Sequence, residues 1–150
     1  MRQKITPCLW FDGKAEEAAA FYTSIFPNSA ITNVTPGPGG TTLVVEFRLA
    51  GVQFLALNGG PQFTFNEAIS LSIDCQTQAE IDELWARLTN GGSPSQCGWL
   101  KDKYGVSWQV VPSILPKLLS DPEKAARVMP VLLGMAKLDI RALQDAADGK

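Results

Sequence analysis

The sequence predicts an α+β fold built from two βαβββ modules and a C-terminal helical extension. In each half, segments with strand-like apolar alternation surround a stretch with helical apolar spacing. The segment GVQFLAL at 51–57 also recurs as GVSWQVV at 105–111. Residues 113–150 instead carry helix-start signals. We interpret 1–150 as one domain, with modules at 1–62 and 63–112 and the extension at 113–150.

The first module follows the order strand, helix and three strands. Residues 4–11 are rich in strand formers and end at the break Asp12-Gly13. Residues 14–26 have helical apolar spacing, with Glu16 and Glu17 in the first turn, where the helix dipole favours acids. Strands are predicted at 29–35, 41–50 and 52–57. The segment PGPGG at 36–40 is predicted to be a loop.

The second module repeats this order with one difference. Residues 68–75 alternate as a half-buried strand, and Thr77 with Glu80 has the spacing of a capping box that begins a helix. The glycines at 91–92 close this helix. Strands at 95–100 and 106–111 flank a turn at 102–105. One strand is therefore expected to be lost or merged.

The extension is predicted to be helical. Leucines near 115–119 form a short amphipathic turn, and Asp121-Pro122 is a helix start. Pro130 is expected to kink or split the helix that follows. The apolar stripe from Val128 to Leu143 must pack on the domain or on a partner subunit.

Composition excludes several function classes. The chain has 13 Lys and Arg against 15 Asp and Glu and no basic block, so neither nucleic acid nor an anionic membrane surface is an expected partner. No apolar run approaches the ~20 residues that span a bilayer, and no signal core follows the N-terminus, so we expect a cytoplasmic protein. The absence of histidine removes the usual general base and the commonest metal ligand.

Three cysteines lack the spacing of a zinc site or a redox motif. Cys8, Cys75 and Cys97 are therefore expected to be buried free thiols. Cys8 is not expected to be a nucleophile, because no histidine is present to lower its pKa.

Motifs along most of the chain carry a family resemblance. They are ITPCLWFDG at 5–13 with AEEA at 15–18, LNGGP at 57–61, and CGWLKD at 97–102 with GVSWQ at 105–109. On these motifs the sequence resembles the PhnB-like (demethylubiquinone 3-methyltransferase-like) family of the glyoxalase, bleomycin resistance protein and dioxygenase (vicinal oxygen chelate) superfamily. The resemblance implies paired modules forming a cup-shaped mixed sheet, any active site inside the cup, and a homodimer.

The resemblance also indicates where a metal would bind in relatives. Their four ligand positions correspond here to Thr6 (Pro7 if the register slips by one), Leu55, Ala68 and Gln109. A hydroxyl and an amide are the only donors in this set, and neither is anionic. We therefore expect no metal and no cofactor. A metal-dependent lyase or dioxygenase with ligands at other positions remains the alternative.

Strand alternation extends these positions to a ligand-binding set that faces the cup. Its members are Thr6, Cys8, Trp10, Gln53, Leu55, Ala68, Ser70, Ser107 and Gln109. Phe54, Trp108, Leu71 and Ile73 would then face the helices. Such a lining suits a small organic ligand. Alternatively, the same residues fill a closed core, and the protein is a ligandless interaction protein. The sequence leaves the catalytic residues unknown.

Other polar residues have more than one interpretation. Glu46 and Arg48 are either an ion pair inside the cup, with Glu46 a general base, or a solvated pair on an outer edge, which we favour. Asp102 and Tyr104 are predicted to be turn residues. The segment at 58–61 is predicted to be a strand-exit turn, and no strand, glycine loop and helix unit for a nucleotide-like methyltransferase cofactor is expected.

Overall fold

The computed structural model describes residues 3–150, which fall into two compact units divided between Phe65 and Asn66. Each unit contains one four-stranded mixed sheet. Within this part of the chain, no helix combines the length and the apolar character needed to cross a membrane.

Unit one has the predicted βαβββ order. Its elements are β1 (Cys8–Phe11), α1 (Ala15–Ile25), β2 (Ala30–Pro36), a 3-10 turn (Pro38–Gly40), β3 (Thr42–Leu49) and β4 (Val52–Asn58). The strand order in the sheet is β1-β4-β3-β2, with β1 parallel to β4 and the other pairs antiparallel.

Alternation along the strands separates a core face from an open face in unit one. Tyr22 of α1 is fully buried and stacks on Phe47 of β3, which stacks in turn on Phe54 of β4. The predicted orientation of Phe54 toward the helix side is therefore confirmed. The intervening residues of β3 and β4 are mostly half-buried, because successive side chains of a strand point to opposite faces.

Unit two contains the second module and corrects two predicted strands. Its elements are β5 (Leu71–Cys75), α2 (Gln78–Thr89), β6 (Ser93–Pro94), β7 (Trp99–Lys101) and β8 (Ser107–Pro112), in the sheet order β5-β8-β7-β6. The predicted strand at 95–100 is wrong: a loop separates β6 from β7, and no strand of the module is lost. This loop contains Cys97 and Gly98, both with positive φ, which breaks an extended run.

The start of β5 also differs from the prediction. Ala68 lies in a turn, where its backbone N–H donates to Asn66 Oδ1 at 2.9 Å. This side-chain bond offers the backbone an alternative to strand pairing. The strand therefore begins at Leu71.

The helix of unit two begins as predicted. Thr77 Oγ1 accepts a hydrogen bond from Glu80 N at 3.1 Å, and the Glu80 carboxylate accepts one from Gln76 N at 2.8 Å. These bonds satisfy backbone donors that a helix start leaves unpaired. On the helix side of the sheet, Trp108 is buried, whereas Leu71 and Ile73 are half-buried.

Three helices form the extension: α3 (Leu115–Ser120), α4 (Pro122–Leu133) and α5 (Ile140–Ala147). Asp121 caps α4 as predicted. Of the two outcomes expected at Pro130, a kink or a split, the split does not occur, because α4 continues through this residue to Leu133. Pro130 is exposed, so water can satisfy the carbonyl that its missing N–H leaves unpaired. The apolar stripe packs within unit two, around Val128, Leu132, Leu138 and Leu143.

Candidate functional site

The open face of the unit-one sheet carries most of the predicted site residues of that unit. Pairing places Leu55 between Cys8 of β1 and Glu46 of β3, and places Gln53 beside Arg48. Thr6 precedes β1. A depression of about 790 Å³ lies on this face. Its lining consists of Gln3, Lys4, Thr6, Glu46, Gly51, Gln53 and Leu55.

Hydrogen bonds hold the polar side chains around this depression. The Gln53 amide donates to Thr32 Oγ1 at 3.0 Å. The Gln3 amide bonds both the N–H and the carbonyl of Gln53, at 3.1 and 2.9 Å. Glu46 Oε2 accepts a bond from Asn33 Nδ2 at 2.8 Å. The depression therefore has positioned amide and carboxylate groups around the apolar side chain of Leu55.

The favoured position of Glu46 and Arg48 on an outer edge is wrong. Their strand, β3, lies between β4 and β2 in the interior of the sheet. Both side chains are half-buried on the open face. Among residues 3–150, the ion pairs do not include one between these two residues. The sequence left Glu46 inside the cup only as the less favoured alternative, because its position depends on which strands lie beside β3.

Trp10 lies on the same face but under the strand-exit turn. Its indole N–H donates to the Gly60 carbonyl at 2.9 Å, and Phe63 meets the ring edge-on with centroids 5.0 Å apart. Gly59 lies so close to the ring that a Cβ at this position would overlap it. The absence of a side chain at Gly59 therefore makes room for Trp10. No helix follows them before β5, so this segment does not fit the glycine loop of a nucleotide-like cofactor site.

The cysteines differ in exposure, which corrects one expectation. All three are free, but Cys8 is exposed, Cys97 is half-buried and only Cys75 is buried. Partial desolvation raises the pKa of the Cys8 thiol, which opposes a role as nucleophile. Burial raises the pKa of Cys75 to about 12, and the charges of Glu80 and Asp74 add to this effect.

In unit two, the predicted residues Ser107 and Gln109 lie on one face of β8, and Ser70 directly precedes β5. Gln109 lies opposite Ser72 on one side and Trp99 on the other, and its amide donates to Ser70 Oγ at 2.9 Å. Ser107 is 1% exposed and lies opposite Lys101. Ala68 is exposed in its turn, outside the strand.

Beside Ser107 is a second, smaller pocket. It has a volume of about 190 Å³ and is lined by Glu67, Ser93, Pro94, Ser95, Trp99, Leu100, Lys101 and Ser107. Lys101 and Trp99 line this pocket and are not among the site residues that the sequence predicts. Their face follows from the register of β7 against β8, which has no local signal in the sequence.

The four positions that the family resemblance predicts for metal ligands carry no anionic donor. Thr6 offers a neutral hydroxyl, Gln109 offers an amide whose N–H₂ is bonded to Ser70, and Leu55 and Ala68 offer no donor. Among residues 3–150, no group of three or more Cys, Asp or Glu side chains could hold a metal ion.

Asp102 organises the turn between β7 and β8. It is 3% exposed, and its Oδ1 accepts bonds from the backbone N–H of Tyr104 and Val106, at 2.8 and 3.1 Å. Its Oδ2 accepts a bond from Trp108 Nε1 at 2.8 Å. The predicted turn role of Asp102 is therefore confirmed. Its carboxylate also connects this turn to the buried side chain of Trp108.

Comparison with known proteins decides the family. The family model described as 3-demethylubiquinone-9 3-methyltransferase matches residues 3–111. The chain belongs to this family. The PhnB protein from Bacillus cereus is 38% identical, with 73% of this chain and 99% of that chain covered and a TM-score of 0.69. A comparison with curated protein sequences finds no match.

More distant structures share the fold of this PhnB-like protein. A protein from Pseudomonas aeruginosa is 20% identical, with 74% of this chain and 98% of that chain covered and a TM-score of 0.59. The fosfomycin resistance protein FosX from Listeria monocytogenes, complexed with Mn(II) and sulfate, is 17% identical, with 72% and 89% covered and a TM-score of 0.54. The fold is thus that of the glyoxalase and bleomycin resistance superfamily, with helices added at the C-terminus.

Proposed function

We propose that this PhnB-like protein binds a small organic molecule on the open face of its sheets, without a metal. The observation that carries the proposal is the depression of about 790 Å³ beside Thr6, Gln53 and Leu55. These are residues that strand alternation and the family resemblance predict to line a site. No reaction is assigned to the site.

The chemistry of the depression supports a ligand with both apolar and polar parts. Leu55 supplies an apolar surface, and Thr6 and Gln53 supply a hydroxyl and an amide. Lys4 and Glu46 add one charge of each sign. Small-molecule sites combine apolar surface with a few positioned polar groups, as here.

Metal independence is proposed from the donor chemistry. FosX binds Mn(II), but at 17% identity the likeness to it concerns the fold alone. Thr6 and Gln109 offer neutral oxygens, and first-row metals in proteins take His, Cys or carboxylate ligands. Glu46 is the one carboxylate in the lining of the unit-one depression.

We further propose a cytoplasmic homodimer. The free thiols are compatible with a reducing compartment, and the family resemblance supports the dimer. Light scattering after size-exclusion chromatography should give twice the mass of the 16.2 kDa chain. A monomer across the micromolar range would contradict the dimer.

A thermal-shift screen tests the binding proposal. The purified chain is screened against a library of small organic fragments, and then against Mn²⁺, Zn²⁺ and Mg²⁺. A ligand that binds only the folded state raises the melting temperature. Leu55→Trp fills the depression, and Val52→Trp is its matched control, because Val52 lies on the same strand, is 45% exposed and points to the other face.

We expect fragments that stabilise the native chain and the Val52→Trp variant but not the Leu55→Trp variant. If every stabilising fragment also stabilises Leu55→Trp, this site is excluded. No stabilising fragment would favour a ligandless interaction protein. One tightly bound metal per chain would support the metal-dependent alternative and refute metal independence.

A further inference from the structure

Ser107 has a buried hydroxyl that lacks a partner. Its side chain is 1% exposed, and Oγ makes no hydrogen bond among residues 3–150. Buried polar atoms in proteins nearly always have a partner, so an unpaired one points to a bound water, ion or ligand. A hydroxyl can both donate and accept. A ligand beside Ser107 would supply the partner that its hydroxyl lacks.

This side chain lines the pocket of about 190 Å³ in unit two. Ser107 and Lys101 are directly opposed on antiparallel strands, which places their Cβ atoms about 4.5–5.5 Å apart on one face. Trp99 lies two residues before Lys101 on the same face and supplies an aromatic wall. At ~30 Å³ per water, the volume corresponds to about six waters. A small organic molecule fits this space.

Lys101 already holds a carboxylate at the edge of this pocket. Its Nζ lies 3.1 Å from Glu67 Oε1, and the hydrogen bond that Lys101 donates is the main cause that lowers the pKa of Glu67. Glu67 belongs to the turn before β5 and is 63% exposed. An exposed ion pair of this kind is weak and exchanges with competing anions.

We propose that this pocket binds the carboxylate of a small organic acid, which displaces Glu67 from Lys101. One carboxylate oxygen accepts a hydrogen bond from Ser107, the Lys101 ammonium pairs with the carboxylate, and Trp99 packs on the organic body. The inference goes beyond the proposed function, because it adds a binding site in unit two to the unit-one depression on which that function rests. A single cation with a carboxylate beside it favours a monoanion over a dianionic phosphate.

The test uses benzoate as the probe, with benzamide as its neutral analogue and inorganic phosphate as the other anion. Binding to the full chain is followed by the indole N–H signal of Trp99 in ¹H–¹⁵N spectra, which is assigned with Trp99→Phe. The variants are Ser107→Ala, Lys101→Met and Glu67→Gln. Lys103→Met is the control for the loss of a lysine in the same segment, because Lys103 lies over the Tyr104 ring in the turn.

We expect saturable benzoate binding that exceeds benzamide and phosphate binding. Ser107→Ala and Lys101→Met should each weaken it about tenfold or more, because each removes a hydrogen bond to a charged group. Glu67→Gln should tighten it by up to about fivefold, because it removes the internal competitor. Lys103→Met should bind as the native chain does. Far-UV spectra that match the native spectrum show that each variant folds.

Three results would overturn the inference: benzamide binding as tightly as benzoate, phosphate binding more tightly, or Lys101→Met binding benzoate like the native chain. Failure to bind benzoate at tens of millimolar would also overturn it. If fragments that depend on Leu55 are nonetheless found, the proposed function stands and only the carboxylate pocket is refuted.

Discussion

The buried carboxylate of Asp102 allows a quantitative prediction. It accepts two backbone N–H bonds on Oδ1 and the Trp108 indole bond on Oδ2. In Asp102→Asn, the amide oxygen can still accept the backbone bonds, but the amide nitrogen then faces the Trp108 N–H. Two donors would oppose each other in a buried site.

The expected magnitude follows from these contacts. A hydrogen bond to a charged group contributes about 1.5–3 kcal/mol, and a buried donor without an acceptor costs about 1–3 kcal/mol. We expect Asp102→Asn to destabilise the fold by about 2–4 kcal/mol. In a Trp108→Phe background the opposed donor is absent, so Asp102→Asn should lower the free energy of unfolding by less. The coupling between the two changes should be about 1.5–3 kcal/mol.

A double-mutant cycle measures this coupling. The four proteins are unfolded in urea, and far-UV circular dichroism follows the transition, because the Trp108→Phe variants lose a fluorophore. The slope of free energy against urea must agree among the four for the comparison to hold. Additive effects within about 0.5 kcal/mol would refute the reasoning, since that is the range expected for residues that do not interact.

Three further changes give distinct readouts. Gly59→Ala should destabilise the fold by about 1–3 kcal/mol in urea unfolding, because the new methyl group would overlap the Trp10 ring. Iodoacetamide should modify Cys8 first and leave Cys75 unmodified in the folded protein. Folding raises the pKa of Cys75 to about 12, so the free energy of unfolding should fall as pH rises from about 9 toward 12. Gln78→Ala should cost about 1–3 kcal/mol and speed hydrogen exchange in α5, because its side chain bonds the Leu138 carbonyl and the Ile140 N–H.

Each of these changes has a control within the chain. Gly134→Ala should alter stability by at most about 0.5 kcal/mol, because Gly134 has a negative φ and an added Cβ makes ordinary contacts. Cys75→Ala should remove the part of the pH dependence that this thiol causes. Lys137→Met breaks only an exposed ion pair with Asp82 and should leave exchange in α5 nearly unchanged. A large loss of stability in Gly134→Ala, an unchanged pH dependence in Cys75→Ala, or faster exchange of α5 in Lys137→Met would each contradict the cause assigned to the corresponding change.

Local signals in the sequence determined the two modules and their buried faces. The Thr77 and Glu80 capping pair begins α2 as predicted, because a cap depends on residues three apart in the chain. Strand alternation likewise identified Phe54 and Trp108 as core residues. These features depend on the periods of the helix and the strand, which a single chain segment displays.

Tertiary structure alone decided which side chains meet. The two-residue strand Ser93–Pro94 is too short to show a period, and the turn at Ala68 depends on a bond to Asn66. Glu46 beside Leu55, and Lys101 beside Ser107, follow from strand order and register. Register joins residues distant in the chain, so the sequence indicated the open faces, whereas the fold determined the charged groups that line them.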